Sequence, residues 1–492
     1  MRRFIISTFS SRRKPNHHRH LNAFSGSPTT VASDTLQIQV ISREHIKPSS
    51  PTPQNLRYYK LSMFDQIEAP IYHPFMFFYL NPVKNENDND NDKKKMSIDE
   101  IISYRSNRLK ESLSETLTRM YPFAGKLGSE LHIDCNDIGV YYIETRVDDR
   151  LDNVLRKPDN KLLKRLLPVV DSVPNQPLWG SYVSMVQVNF FNCGGVSITV
   201  QHNHKLADAL STMVFLNTWA AIARRDPNQV YPSFDSSEMF PQNPNVPSSP
   251  YVPLWYLTIS PAYLKHGLFE TKRFVFDALA LRKLKAIASE HQRVSRVLAV
   301  LALLWKCVTT ETHSKPSVLH MPVDIRQRFS PPLPDSSIGN IKSGALVRFD
   351  PDATSGNLEV ASMASRLKTE IAAITSKSIE DLRRENAYVG FAEGLRNSME
   401  MLTDFGTEYY LTSSLCNSGT READFGWGKP VWCCTGNHLN EDIPIFTNRM
   451  ILMDSCSGDG IEVWVTLEKQ VMDAVKCNAE LLSFASVDTS PL

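Results

Sequence analysis

A histidine followed four residues later by an aspartate occurs three times in this chain, at His204/Asp208, His320/Asp324 and His438/Asp442. Imidazole, with an ordinary pKa of about 6.5, can take a hydroxyl proton and return it within one turnover, so each histidine is a candidate general base. The spacing alone does not choose among them. The surroundings favour the first pair. In Val196-Ser-Ile-Thr-Val-Gln-His-Asn-His204, apolar and polar residues alternate through Gln201, the period of a strand with one buried face, and His202 and His204 continue the buried parity. Leu206, Leu210, Met213, Leu216 and Trp219/Ala220 then recur at helical spacing. The chain therefore turns from strand to helix at His204–Asp208, with the histidine at an element end pointing inward. Two readings compete for each residue. His204 is a core histidine or a general base; Asp208 is a helix cap or the group that holds the loop and the imidazole in place.

The elements that would position this turn mix helix and strand in both halves of the chain. Helical spacing covers 109–120, 278–290, 296–309 and 358–375; strand patterns lie around 181–202, 449–454 and 461–466. Between the halves, residues 227–253 hold seven prolines in 27 positions, too many for a helix interior or a central strand. This predicts an α/β fold of two domains, 36–226 and 266–492, joined by a proline-rich crossover over 227–265, with the site in the cleft between them.

Composition removes several function classes. The 492 residues carry 54 Lys+Arg and 53 Asp+Glu, and residues 1–33 hold six of the basic groups and no acid, leaving 48 basic against 53 acidic residues elsewhere. A basic nucleic-acid-binding body is excluded. The longest strongly apolar run, Val297 to Trp305, is nine residues, far short of the roughly 20 that span a bilayer. Eight cysteines without a CxxC spacing argue against a zinc ribbon or a disulfide scaffold and read as mostly free, buried thiols. GxSxG, Walker A and HExxH patterns are absent, and Gly426-Trp-Gly428-Lys-Pro-Val is no dinucleotide fingerprint. Asn85–Lys95 resembles a calcium loop only until its sixth position, which is Lys93 where the turn requires glycine; it reads as a solvated insertion. Within the leader, 1–35, residues 1–33 are rich in Arg and Ser and free of acids; this reads as a mitochondrial or plastid transit peptide, the alternative being a disordered leader or a misassigned start codon on a cytoplasmic protein.

Two signatures, His204-Lys-Leu-Ala-Asp208 and Asp424-Phe-Gly-Trp-Gly-Lys-Pro430, stand in the order and separation found in the BAHD family of plant CoA-dependent acyltransferases, which the chain resembles over about residues 36–490. Shorter matches are Pro48–Pro53, Leu61-Ser62, Asp65-Gln66, Tyr121–Lys126, Cys135-Asn-Asp137 with Gly139, Val323–Arg328, Pro331–Pro334 and Gly339-Asn340. They are most similar to the vinorine-synthase-like branch of alkaloid and terpenoid O-acetyltransferases. The Val323–Arg328 block also makes His320/Asp324 the lead-in to a different motif.

The resemblance implies two chloramphenicol-acetyltransferase-like domains with a solvent channel between them, CoA entering from one face and the acceptor from the other. It implies acyl transfer, here acetyl, from acyl-CoA as co-substrate to a hydroxyl of a bulky specialised metabolite, in a monomer with no tightly bound cofactor, acyl-enzyme or metal. His204 would be the base. Asp208 would pair with an arginine, Arg326 rather than Arg328. Asp424, away from the reacting atoms, would with Phe425, Gly426, Trp427 and Gly428 support CoA binding; without the family, that loop reads equally as a turn anchored by an aromatic. Ser295, at the start of a helix, resembles a family residue near CoA, or is an ordinary N-cap. Three departures concern the pocket and its approaches: Ser413-Ser414-Leu415 stands where the family has Thr-Ser-Trp, implying a roomier pocket around Ser413 and Leu415; Arg421 replaces a common tyrosine; Ala209 follows Asp208 where many members have glycine. N-acylation of an amine and a non-catalytic binding relative are the alternatives.

Overall fold

The computed structural model describes residues 36–81, 96–168, 180–242, 264–312, 315–350, 358–384, 387, 406–436 and 445–492. The leader, the insertion around Asn85–Lys95, much of the proline-rich crossover and the His438/Asp442 pair lie outside the described residues. Residues 36–492 cluster as one unit.

Six strands make the first sheet, in the order Ile38–Ile46, Val140–Val147, Ser184–Phe191, Val196–Asn203, Tyr72–Tyr79 and Trp432–Thr435. All neighbours are antiparallel except Val140–Val147 with Ser184–Phe191. The last strand comes from the C-terminal half of the chain and pairs Trp432 with Phe78 and Thr435 with Phe75. Alternation in Val196–Asn203 predicts one buried face; all eight residues are buried. The polar face is covered because its groups find partners: Asn189 Nδ2 donates to Ser197 Oγ (3.0 Å) and to the Leu166 carbonyl (3.2 Å), which also accepts from Thr199 Oγ1 (2.8 Å). A polar residue on a strand marks a face that needs hydrogen bonds, and here protein supplies them in place of water.

Helices cover this sheet. Ile98–Arg119 begins eleven residues before the pattern at 109–120 suggests, started by a reciprocal capping box between Ser97 and Glu100. Ala209–Ala223 begins at Asp208, whose side chain accepts from the Ser211 N–H. Its Trp219 is fully buried, with the indole N–H donating to the Leu109 carbonyl (3.1 Å) and Ser112 Oγ (3.0 Å).

The second sheet runs Lys342–Phe349, Ser317–Asp324, Glu408–Ser414, Arg449–Asp454, Ile461–Glu468, Phe269–Phe276 and Ser486–Val487. Helices Ala278–Ala288, Arg296–Glu311 and Val360–Ala373 share its core, close to the ranges expected from spacing. The apolar run Val297–Trp305 is thus the interior of a packed helix, and no helix among the described residues is long and apolar enough to cross a membrane. A third cluster, Met63, Phe64, Phe240, Ile325, Phe329, Ile341 and Ile379, draws on both halves. Asp65, Arg326, Asn340 and Lys342 are sequence neighbours of its members, so this apolar seam sets the charged groups of the site against one another.

Candidate active site

His204 follows the last residue of its strand. Its backbone is fixed from both sides: the N–H donates to the Ile71 carbonyl (2.8 Å), and the carbonyl accepts from Asn340 Nδ2 (2.6 Å). Asn340 is itself gripped by Asp65, whose Oδ1 accepts from both the Asn340 N–H and Nδ2 at 2.9 Å. Asp65 Oδ2 accepts from the Ser62 N–H (2.8 Å) and Oγ (2.7 Å). Burial still pushes the Asp65 carboxyl up to about 6, against the pull of these donors. The Asp65-Gln66 and Gly339-Asn340 matches thus form one brace behind the histidine.

The imidazole keeps 17% side-chain exposure, so a substrate can reach it. Its Nδ1 is buried without a hydrogen-bond partner among the described residues. Its Nε2 faces Glu68 Oε2 at 3.5 Å, and the other Glu68 oxygen holds Lys342 Nζ at 2.7 Å. His73 meets the ring edge-on at 4.5 Å between centroids. Burial lowers the His204 pKa, with Lys342 adding to the effect and Glu68 and Asp208 opposing it. The ring is therefore neutral at neutral pH, the state a base requires. His202, one strand position earlier on the same parity, is a core histidine: Phe123 and Phe215 flank it, Nδ1 bonds Ser184 Oγ at 2.8 Å, and burial pushes its pKa down to about 3.

Asp208 does not touch the imidazole. One oxygen caps the following helix through the Ser211 N–H (2.8 Å); the other pairs with Arg326 Nη1 at 2.9 Å. Arg326 is fully buried. Its guanidinium also donates to the carbonyls of Ser337 (3.0 and 3.1 Å) and Gly339 (3.1 Å), and to Asp324 Oδ1 (2.9 Å). Arg328 points elsewhere, to the carbonyls of Ile371 and Ile374. Burial works against the Asp208 charge, yet Arg326 and the Ser211 N–H prevail and hold its carboxyl below the usual range. Asp208 thus fixes the loop, and the carboxylate that faces the base is Glu68. The second pair, read as a lead-in, belongs to the same neighbourhood: Asp324 shares Arg326 with Asp208, while His320 hydrogen-bonds Tyr409 Oη (2.5 Å) and is pushed down to about 4 by burial and by Lys342.

The glycine-aromatic loop lies at the far end of the first sheet. Phe425 packs against Tyr79 and Trp219, seven strand residues from Tyr72, or about 20 Å from the histidine end. Asp424 Oδ1 accepts the N–H groups of Gly426 (2.8 Å) and Gly428 (3.0 Å), two residues at φ +102° and +104°, where side chains are disfavoured. Trp427 stacks on Phe425 and lies under the Arg105 guanidinium at 5.0 Å. The brace needs an oxygen acceptor and no charge. Asp424→Asn should therefore retain most activity and stability, whereas Asp424→Ala should cost about 1–3 kcal/mol in denaturant unfolding and raise the KM for acyl-CoA. Equal loss in both variants would make the charge essential.

Ser295 is exposed and caps Arg296–Glu311 by accepting the Leu298 N–H (3.2 Å). Ser413 is half-buried in Glu408–Ser414 opposite Ile451, and Leu415 is buried in the first core. Among the described residues, no hydrogen bond, ion pair or ring contact joins these three to His204. Sequence reasoning missed Glu68, Lys342 and His73. Glu68 lies two residues after Asp65-Gln66, at the end of the short helix Met63–Ile67, but nothing in its spacing points to a histidine at a distant strand end.

Two mixed sheets meeting over a strand-end histidine, with the glycine-aromatic loop closing the far edge of the first, form the arrangement that the resemblance implies for a two-domain acyltransferase. The chain belongs to the BAHD acyltransferases: the sequence model of the Transferase family matches residues 36–482. It is 34% identical to epi-neemfruitin B 7-O-acetyltransferase of Melia azedarach, over 93% of this chain and all of that one. It is 31% identical to a 17,18-epoxy-17-hydroxycur-19-ene N-malonyltransferase of Strychnos nux-vomica, over 93% and 92% of the two chains. The crystal structure of vinorine synthase superposes with a TM-score of 0.74 at 31% identity, covering 93% of this chain and 100% of that one.

Proposed function

We propose that this protein transfers an acetyl group from acetyl-CoA to a hydroxyl of an alkaloid or terpenoid, with His204 as general base. The observation that carries this reading is a substrate-accessible imidazole whose loop is fixed from both sides, by the Ile71 carbonyl and by Asn340 and Arg326. His204 Nε2 takes the hydroxyl proton as the oxygen attacks the thioester carbonyl. The tetrahedral intermediate expels the CoA thiolate, which receives that same proton from the imidazolium. Base catalysis of this kind contributes about 10²–10⁴-fold, and holding acceptor and thioester together supplies much of the rest. The 7-O-acetyltransferase among the relatives supports a hydroxyl acceptor. Asp208, Arg326, Asn340 and Asp65 act on the base through its loop.

The test is transfer from labelled acetyl-CoA by the full chain against a panel of alkaloid, terpenoid and phenolic alcohols and of amines. Acetylated alkaloid or terpenoid alcohols are expected. Selective N-acylation would move the protein to the amine reading, which the N-malonyltransferase relative favours. Transfer from malonyl-CoA in preference to acetyl-CoA would overturn the donor.

A further inference from the structure

We propose that Glu68 is a positioning residue for this reaction: anchored by Lys342 and aimed at Nε2 of His204, its carboxylate orients the imidazole and stabilises the imidazolium formed when the acceptor is deprotonated. The proposal rests on His204 being the base. In acid–base sites of this sort a carboxylate commonly holds the histidine, and Asp208 is the obvious candidate by spacing. Asp208 is engaged, with one oxygen on the Ser211 N–H and the other on Arg326. Glu68 offers a carboxylate oxygen 3.5 Å from Nε2, while its second oxygen is tied to Lys342 at 2.7 Å.

At 3.5 Å the carboxylate makes no hydrogen bond to Nε2, so the lone pair stays open to the acceptor hydroxyl. Once Nε2 has taken the proton, the imidazolium lies beside a fixed negative charge and is attracted to it through space, while its N–H remains directed at the substrates. The attraction thus arises only after proton transfer, the condition for accelerating the step instead of tightening the resting state. Glu68 does not capture the proton. Burial pushes its carboxyl up, but Lys342, joined by His204 once that ring is protonated, outweighs burial and brings it down to about 2, so it is a far weaker base than imidazole or the departing thiolate. The proton stays on His204 and passes to CoA.

Other charged and titratable groups surround the pair. Lys205, the next residue, is buried, donates its Nζ to the Gln66 carbonyl (2.6 Å) and feels both Glu68 and Asp65, and Asp65 is engaged by Ser62 and Asn340. Asp208, at the start of the following helix, is neutralised by Arg326. His73, on Tyr72–Tyr79, presents a ring edge. From the second sheet come Lys342 and, on the adjoining strand, His320, kept neutral by burial and by Lys342. Glu68 and Lys342 pull the His204 equilibrium in opposite directions.

The test is an NMR titration of the full chain labelled with 13C and 15N in histidine, the His204 signals being identified by their loss in His204→Ala. Glu68→Gln should lower the His204 midpoint by about one pH unit and reduce kcat about tenfold with the KM for acetyl-CoA unchanged. Lys342→Met should raise the midpoint, and Glu68→Asp should restore part of the lost kcat. Midpoints that stay put, or move in the same direction in both variants, overturn the proposal. Undiminished transfer by His204→Ala overturns the base assignment itself, whereas an inactive His204→Ala beside unshifted variants overturns the role of Glu68 alone.

Discussion

His204→Ala loses acyl transfer by about 10²–10⁴-fold and keeps its fold. The loop depends on the His204 backbone: its N–H is held by Ile71 and its carbonyl by Asn340. Those bonds survive removal of the ring, and the Lys342–Glu68 ion pair also remains. The vacated space adjoins a region already accessible to water, so the cavity penalty is small beside that of a sealed core site. Circular dichroism and thermal unfolding should match the parent protein while single-turnover transfer from acetyl-CoA falls. A variant that unfolds would show that the ring is structural, and one that retains transfer would place the base elsewhere.

Arg326→Ala is the most damaging change expected for stability. The guanidinium is fully buried and joins Asp208, Asp324 and the carbonyls of Ser337 and Gly339. Its removal leaves the buried Asp208 carboxylate without its counter-charge and the Ser337 carbonyl without a donor, while the Gly339 carbonyl keeps Ser211 Oγ at 3.1 Å. Breaking one side of a buried ion pair costs about 3–5 kcal/mol, a large part of the 5–15 kcal/mol that holds a typical domain together. Lysine cannot reproduce the fork, so Arg326→Lys should recover only part of the loss. Activity should fall as well, because Gly339 precedes the Asn340 that holds the His204 carbonyl.

The pH dependence of stability supplies the sign. In the parent protein the folded Asp208 pKa lies below its ordinary value, so this pair stabilises above the unfolded value of about 3.9 and the contribution is lost only as pH falls through the folded pKa. In Arg326→Ala burial dominates and raises that pKa, so the variant should lose stability as pH rises from about 4 to 7. Denaturant midpoints at three pH values would distinguish the two curves, and parallel curves would remove Arg326 from the account.

The strand-to-helix turn at His204–Asp208 is legible because its signals are local: alternation before it, helical spacing after it, a capping aspartate between. The same locality explains the agreement over Ala278–Ala288, Arg296–Glu311 and Val360–Ala373. The family resemblance added Arg326 as the partner of Asp208, a pairing across 118 residues that spacing could not supply. Alternation misled at Val196–Asn203, since a polar face pattern reports a need for hydrogen bonds and is silent on whether water or Leu166 provides them.

What the sequence by itself determined is therefore the strand-to-helix turn, the three helices of the second core, the candidate base and, through its two signatures, the family. Only the tertiary structure decided which carboxylate faces that base, that Asp65 reaches across 275 residues to Asn340, and that Trp432–Thr435 returns to the first sheet. The physical reason is range. Caps and amphipathic periods are settled by interactions within a few residues, whereas the distance from Glu68 to His204 is the sum of how two sheets and the apolar seam between them pack, and no single segment carries that sum.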